Sequence, residues 1–166
     1  MSTTIDKYLY ITCRYLPPFF EHRIRLVYSI IETCQSADKL LHPTARSILR
    51  FLNYDRDLEI HYDGDLPARS GMGSSSAFTV GLLNALHAYE NKAVSCQKLV
   101  EESIYVERVL VQEKVGSQDQ VSAAHGGFNM IRFLPDGKID VEPLPIDSAR
   151  AELVTKKMML FFTGIS

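Results

Sequence analysis

The chain has little cysteine and little excess of charge of either sign, and each shortage excludes a class of protein. Its 3 cysteines are an odd number without C-x-x-C spacing, which predicts reduced thiols in a cytosolic protein rather than a disulfide framework. The 5 histidines form no H-x-x-x-H pair, so we do not expect a transition-metal site. Lys and Arg number 18 against 20 Asp and Glu, and this net charge of −2 is unlike the basic surface of a nucleic-acid-binding protein.

Long apolar runs are also missing. The longest one near the C-terminus, residues 158–162, is far too short to span a bilayer. The first residues include Asp6 and Lys7 and lack the apolar core of a signal peptide. We find no internal repeat, linker or low-complexity tract, and 166 residues are enough for one buried core. We therefore expect one cytoplasmic domain over residues 1–166, without a membrane partner.

The pattern of apolar residues predicts a mixture of strands and helices. Strand patterns cover residues 5–12, 24–31, 58–62, 128–133, 138–144 and 157–162. Helical patterns cover residues 43–52, 74–89 and 95–111. A short helix is expected from Ser117 toward Ala124, because Ser117 and Gln120 have the spacing of a capping box. Strands and helices do not alternate regularly, which predicts an α+β fold rather than a doubly wound one.

A glycine- and serine-rich stretch, residues 67–77, lies between a predicted strand and a predicted helix. Glycines allow close approach of the backbone, and the first-turn N–H groups of a helix attract an anion, so the stretch suits a phosphate. Serine hydroxyls can bind phosphate oxygens or Mg²⁺. No lysine follows Gly73 and Ser76 stands at the last position of G-x-G-x-x-G, so neither common phosphate motif is present. The alternative is an ordinary loop with a serine N-cap.

Two carboxylates downstream could complete such a site. Glu107 lies on the apolar face of its predicted helix, where an ionised carboxylate needs a partner. That partner is either a neighbour such as Arg108 or Lys114, or a metal ion that faces the serine loop. Asp119 either complements a helix dipole or orients a substrate hydroxyl and accepts its proton. A phosphate cradle, a metal ligand and a group that positions the nucleophile are the three requirements of phosphoryl transfer.

These segments together resemble the GHMP kinases. Residues 67–76 match the central motif of that family, P-x-x-x-G-[LM]-G-S-S-[AS], although Arg69 replaces a usual glycine. Glu107 precedes Asp119 by the family's spacing, and residues 5–8, 67–86 and 115–129 are most similar to its heptose 7-phosphate kinase group. The resemblance implies the family's N-terminal ATP-binding domain, an α+β fold in which a mixed sheet packs against helices, as in a domain of a ribosomal protein.

The resemblance also implies an activity and the residues that carry it. The expected reaction is transfer of the ATP γ-phosphoryl group to a sugar hydroxyl, in particular the anomeric hydroxyl of heptose 7-phosphate. Ser75 and Glu107 would hold Mg²⁺, and Asp119 would act as base or orienting group. Gly116 and Gln120 would shape the sugar pocket. The residues expected to bind the nucleotide are Pro67, Arg69, Gly71, Met72, Gly73, Ser74, Ser75 and Ser76.

Two parts of the family pattern have no counterpart in the sequence, namely the first glycine-rich motif and the third. We therefore expect an N-terminal domain truncated at both ends, with little or no activity in isolation. The alternatives are a non-catalytic nucleotide- or anion-binding module, another sugar kinase of the galactokinase or fucokinase type, and an RNA-binding domain, which the net charge of −2 disfavours. Strand-like segments near both ends leave edges that favour self-association, so a homodimer is one expected state.

Overall fold

The computed structural model describes residues 1–67, 70–159 and 161. Seven strands are described: β1 (Ser2–Thr3), β2 (Leu9–Tyr15), β3 (Ile24–Val27), β4 (Ile31–Cys34), β5 (Leu58–Gly64), β6 (Phe128–Phe133) and β7 (Ile139–Pro143). Five α-helices accompany them: α1 (Pro43–Phe51), α2 (Ser74–Tyr89), α3 (Cys96–Tyr105), α4 (Gln118–His125) and α5 (Ser148–Thr155). A 3₁₀ turn spans Ala37–Lys39, and a π-helical turn, Val106–Leu110, continues α3. Within the described ranges, no helix is long and apolar enough to cross a membrane.

The strands form two sheets. The larger sheet has the order β2-β5-β3-β4, in which β3 and β5 are parallel and the other pairs are antiparallel. Its inner face buries Leu26, Leu58 and Ile60 against apolar side chains of α1 and α2, including Ile48 and Leu82. The smaller sheet, β1-β6-β7, is antiparallel throughout. The larger sheet is mixed and packs against helices, which confirms the α+β prediction.

Two predicted strands differ from the structure. Residues 24–31 form two strands rather than one, because the chain reverses after Val27 and the Tyr28 N–H donates to Ile30 O at 2.9 Å. The turn contains neither glycine nor proline, so the apolar pattern runs through it unmarked. The strand predicted over residues 5–12 begins only at Leu9. The preceding segment instead links the two sheets, with the Thr4 N–H bound to Gly127 O at 3.0 Å.

The strand predicted over residues 157–162 is wrong where the structure describes it. Lys157 belongs to a turn, and Met158, Met159 and Phe161 are exposed, while residues 160 and 162 lie outside the described residues. An apolar run forms a strand only where a neighbour offers its backbone groups, and none of the described sheets reaches this run. The chain forms helix α5 just before it, capped by the Asp147 carboxylate, which accepts from the Arg150 N–H at 2.7 Å.

The helix predicted over residues 95–111 changes its winding at its midpoint. Ser95 caps α3, because its hydroxyl accepts a hydrogen bond from the Lys98 N–H at 3.1 Å. From Val106 to Leu110 the chain takes π-helical winding. A π-helical turn is rare and often lies at a functional site, since its extra residue re-aims the side chains around it. This turn contains Glu107.

Candidate functional site

The glycine–serine loop enters α2 through two glycines with left-handed backbone. Gly71 has φ +75° and Gly73 has φ +72°, a region that side chains with a Cβ rarely adopt. Gly73 is the N-cap of α2, and no described side chain caps that helix end. The N–H groups of its first turn therefore keep their capacity for a ligand. Arg69, predicted to bind the nucleotide, lies outside the described residues.

Glu107 is buried beside this helix start, with 1% of its surface exposed. Its Oε2 atom accepts hydrogen bonds from the Ser76 hydroxyl, at 3.1 Å, and from the Gln120 side-chain amide. Its Oε1 atom is buried and has no hydrogen-bond partner among the described residues. The alternative pairing with Arg108 or Lys114 is not formed, since none of the ion pairs in the described ranges includes Glu107.

Asp119 lies directly against the loop. A Cβ placed on Gly73 would come within 3.3 Å of the Asp119 carboxylate, at both Cγ and Oδ2. Asp119 belongs to the first turn of α4, and its side chain is exposed. The structure thus brings three predicted elements to one place, because Ser76 joins the loop to Glu107 and Gly73 joins it to Asp119. The serine that reaches Glu107 is Ser76 rather than Ser75, whose residue is exposed.

Gln120 has a different place from the one that the sequence predicts. It is fully buried, and its amide donates to Glu107 instead of returning to the helix start as in a capping box. Ser117 is still the N-cap residue of α4, but its side chain makes no capping bond within the described structure. In a capping box the Gln120 oxygen would accept from the Ser117 N–H, whereas here the Gln120 nitrogen donates to a carboxylate, which is a strong acceptor. Its predicted role in shaping a sugar pocket stays a prediction.

A groove of about 600 Å³ runs beside the loop. Gly71, Met72, Gly73 and Asp119 line it, whereas Gly116 and Gln120 are not among its described lining residues. The polar part of the remaining lining comes from β1, the segment between β1 and β2, α2 and α4: Ser2, Thr3, Thr4, Lys7, Asn84, Gln118 and Ser122.

Sequence analysis missed the groove residues on the segment before β2. Lys7 lines the groove because the chain leaves the strand pattern there, and the Tyr8 N–H binds Asp65 Oδ2 at 2.9 Å. In the sequence, the strand-like pattern of residues 5–12 continues through Lys7, so it gives no sign that β2 begins only at Leu9. The spacing of Ser76, Thr79 and Leu83 along the sequence predicts that the three share one face of a helix. In the structure all three are buried, so this spacing could have indicated that Ser76 points inward.

The surroundings of Glu107 favour a cation. Burial, and then the negative charge of Glu107, raise the pKa of the Glu113 carboxyl above its ordinary value. The Glu113 N–H also donates to Glu107 O at 2.9 Å. No cluster of three or more His, Cys, Asp or Glu side chains that could hold a metal is found in the described ranges. A site of one carboxylate suits Mg²⁺, which usually takes one or two carboxylates together with substrate phosphates.

This geometry agrees with the family to which the sequence belongs. The profile of the GHMP kinases N terminal domain matches residues 34–127, more than half of the chain. The chain is a member of the GHMP kinases.

Among its relatives, the D-glycero-alpha-D-manno-heptose 7-phosphate kinase of Campylobacter jejuni is 29% identical over 121 residues. That match covers 73% of this chain and 36% of the relative. A D-glycero-D-manno-heptose 1-phosphate kinase from Bacteroides thetaiotaomicron has a similar structure, with a TM-score of 0.76 at 24% identity over 87% of this chain and 50% of that one. The Lactococcus lactis galactokinase complexed with galactose follows with a TM-score of 0.64 at 19% identity, over 87% and 41%. The chain thus spans half or less of these proteins.

Proposed function

We propose that this chain is the nucleotide-binding part of an ATP-dependent sugar kinase that phosphorylates the anomeric hydroxyl of a heptose 7-phosphate. The observation that carries the proposal is the buried Glu107 carboxylate beside the glycine–serine helix start, one oxygen of which has no partner among the residues that the structure describes. A lone buried carboxylate oxygen is costly unless a cation or donor joins it, so its presence next to a phosphate-binding backbone supports a metal–nucleotide site.

The loop residues have distinct tasks in this proposal. The left-handed backbone at Gly71 and Gly73 opens the first-turn N–H groups of α2 to the ATP phosphates, together with the hydroxyls of residues 74–76. Met72, Pro67 and Arg69 complete the predicted phosphate loop. We assign nucleotide binding to the whole of residues 67–76.

Glu107 and Ser75 are the residues that would hold Mg²⁺. Both offer oxygen atoms, which this hard cation prefers, and the unpartnered Glu107 Oε1 fits the role of its carboxylate ligand. When bound, Mg²⁺ neutralises charge on the phosphates and on the phosphoryl group in transfer.

Asp119 would handle the acceptor hydroxyl. Its contact with Gly73 holds its carboxylate at the start of α2, where the terminal phosphate of ATP would lie. In the reaction the sugar oxygen attacks the γ-phosphorus, the bond from that phosphorus to the β–γ bridging oxygen breaks, and ADP leaves. The hydroxyl proton passes to Asp119 or, if Asp119 only orients the hydroxyl, to water. We retain Gly116 as a residue that shapes the acceptor pocket.

The sugar acceptor rests on the relatives and on the groove. The Campylobacter jejuni relative acts on heptose 7-phosphate by its name. The groove next to Asp119 presents hydroxyl and amide side chains from Ser2, Asn84 and Ser122, which suit a ligand with several hydroxyls. The three free cysteines agree with a cytoplasmic location, as does the expected use of ATP.

The second candidate is a module that binds Mg-ATP without turnover. The observation in its favour is that the chain spans only 36% of its heptose kinase relative. Thermal unfolding with increasing Mg-ATP tests both candidates, because a ligand that binds only the folded state raises Tm. A rise in Tm with sugar phosphorylation supports the kinase, a rise without it supports the module, and no rise contradicts both.

The acceptor is tested by a kinase panel on the full-length gene product, with heptose 7-phosphate, galactose, fucose and mevalonate. We expect heptose 7-phosphate to be the best substrate. The variant Asp119→Asn should lose at least about 100-fold in kcat, the scale of general acid–base catalysis, and keep its affinity for ATP. Unchanged turnover in that variant would show that Asp119 has no catalytic role.

A further inference from the structure

Two successive residues of α4 contact different parts of the candidate site. Asp119 lies against Gly73 of the loop, whereas the next residue, Gln120, is fully buried and reaches Glu107. Burying an amide is costly unless it is hydrogen-bonded, and for Gln120 the bond from its nitrogen to Glu107 meets half of that need, while its oxygen has no hydrogen-bond partner among the described residues. Asp119 is carried by the same helix as Gln120.

The hydrogen bonds on Glu107 are unevenly shared between its two oxygens. Ser76 and Gln120 both donate to Oε2, and neither of them contacts Oε1. Both donors are neutral, so they fix the direction of the carboxylate without cancelling its charge. An arginine or lysine in their place would compete with a cation for the same group. The arrangement gives Oε1 a defined direction and leaves it without a hydrogen-bond partner among the described residues.

We propose that Gln120 and Ser76 position Glu107 as a metal ligand, and that Gln120 acts through this carboxylate rather than by touching the sugar. The inference rests on the proposed function, because it requires a metal–nucleotide complex at Glu107. Groups that hold a ligand side chain in place typically change metal affinity by 10–100-fold when they are removed. Gln120 thereby links the metal ligand to Asp119, its neighbour on α4.

The test measures affinity for Mn²⁺, which shares the preference of Mg²⁺ for oxygen ligands, in the presence of a non-hydrolysable ATP analogue. Electron paramagnetic resonance of free Mn²⁺ gives the dissociation constant without turnover. We expect Gln120→Leu, which keeps the volume and removes the donor, to weaken Mn²⁺ binding about tenfold. We expect Ser76→Ala to weaken it several-fold, and alanine suits its helical position if the Leu variant fails to fold.

The matched control is Gln97→Leu. Gln97 also donates its amide to a glutamate, Glu101 Oε1 at 3.1 Å, but on the exposed side of α3. This variant should bind Mn²⁺ like the wild type. Binding of the analogue without metal should be unchanged in Gln120→Leu and Gln97→Leu, which separates loss of metal ligation from general damage to the fold.

The outcomes separate the inference from the proposed function. If Glu107→Gln loses Mn²⁺ binding while Gln120→Leu and Ser76→Ala retain wild-type affinity, the positioning role is overturned and the metal site stands. If the wild type binds no Mn²⁺ with the nucleotide analogue, the metal site fails and the inference fails with it. If Gln120→Leu weakens metal-free nucleotide binding as much as Mn²⁺ binding, Gln120 is structural and the inference is wrong.

Discussion

Glu107 and Glu59 are buried to the same extent, with 1% of each residue exposed, but the protein surrounds them in opposite ways. Glu59 lies on β5, in register with Arg14 of β2 and Arg25 of β3, and forms ion pairs with both. His61 adds a hydrogen bond of 2.7 Å to Glu59 Oε1. Around Glu107 the described donors are a hydroxyl and an amide, and one oxygen has no partner.

The contrast between these two glutamates distinguishes a carboxylate that stabilises the fold from one that can coordinate a metal ion. Burial alone would raise the pKa of Glu59, but His61 and Arg14, together with the charge of Arg25, outweigh it and hold that pKa below its ordinary value. The protein supplies its own cations there. Glu32 is a third case, because neutral donors satisfy both oxygens: Tyr28 OH at 2.6 Å and His42 N–H at 3.1 Å bind Oε1, and Leu41 N–H binds Oε2. Glu59 Oε2 also lacks a hydrogen bond of good geometry, but the Arg14 guanidinium pairs with it, so among the described residues only Glu107 of these three has an oxygen with neither a donor nor a cation.

The largest expected effect is that of Glu107→Gln on metal–nucleotide binding. The change replaces a charged ligand by a neutral amide of the same size, so affinity for Mg-ATP should fall at least about 100-fold, the upper end of losses at metal sites. Stability without ligand should stay equal or rise, because an uncompensated buried charge is removed. Isothermal titration and thermal unfolding measure the two quantities. A stability loss above about 2 kcal/mol, with intact Mg-ATP binding, would make Glu107 structural like Glu59.

The reverse result is expected for Glu59→Gln. Loss of the charge that Arg14 and Arg25 pair with should cost about 2 kcal/mol of unfolding free energy, a moderate value because the Arg14 side chain is 59% exposed and stays solvated. Urea unfolding measures the change, and Mg-ATP affinity should match the wild type. A loss of metal affinity in this variant would break the contrast between the two glutamates.

Glu59→Gln also tests how the free energy of unfolding depends on pH. The pKa of Glu59 is lower in the folded state, so its contribution is present above the unfolded value near 4.5 and disappears as pH falls through the folded value. Unfolding free energy of the wild type should therefore drop below about pH 4.5 more steeply than that of Glu59→Gln. Parallel curves for the two proteins would mean that Glu59 is not stabilised by its cations.

Tyr28→Phe tests Glu32, the buried carboxylate whose two oxygens both accept from neutral donors, and its effect should be smaller. The variant removes one hydrogen bond to Glu32 and leaves the two backbone donors, so we expect a loss of about 1 kcal/mol in unfolding free energy. The raised pKa of Tyr28, about 12, reflects burial and then the bond to Glu32, and keeps the hydroxyl protonated as a donor. A loss near zero in urea unfolding would show that Leu41 and His42 hold Glu32 by themselves.

Glu113→Gln should produce the smallest effect, with the opposite sign to Glu59. Because the folded state raises the pKa of Glu113, the stability linked to its protonation is present below its unfolded pKa and is lost as pH rises through the folded value. The variant should therefore gain stability over the wild type as pH rises from 4 to 7, by a small amount because solvent screens this partly exposed carboxyl. Thermal unfolding at both pH values measures this gain. Its absence would argue against a negative environment around Glu107.

The residues that the structure brings together at the start of α2 could be selected from the sequence because their signals are local. The glycine–serine motif, its position before a helix and the acidic residue on an apolar helix face led to residues 67–76, Glu107 and Asp119. The orientation of Gln120 was not predictable, since a capping box and a buried hydrogen bond place glutamine at the same spacing. The π-helical turn at Val106–Leu110 was not predicted either. The spacing of apolar residues over one turn is too short a record to distinguish an α-helix from a π-helix.

Two errors in the fold have a common cause. The reversal after Val27 and the exposed run near Met158 depend on whether a partner strand lies nearby, and apolar alternation says nothing about partners. By contrast, α2 was predicted with its observed bounds, Ser74–Tyr89, because glycines mark its start and its apolar residues follow one helical period.

The central claim is that the glycine–serine loop, Glu107 and Asp119 form one metal–nucleotide site. Its most direct test is amide NMR of the labelled chain with a non-hydrolysable ATP analogue and a small amount of Mn²⁺, which broadens signals near the ion. We predict that broadening is strongest at Gly73, Glu107 and Asp119 and weaker over the rest of the described chain. Broadening that spares Glu107 or Asp119 while it affects Gly73, or that is equal throughout the chain, would contradict the claim.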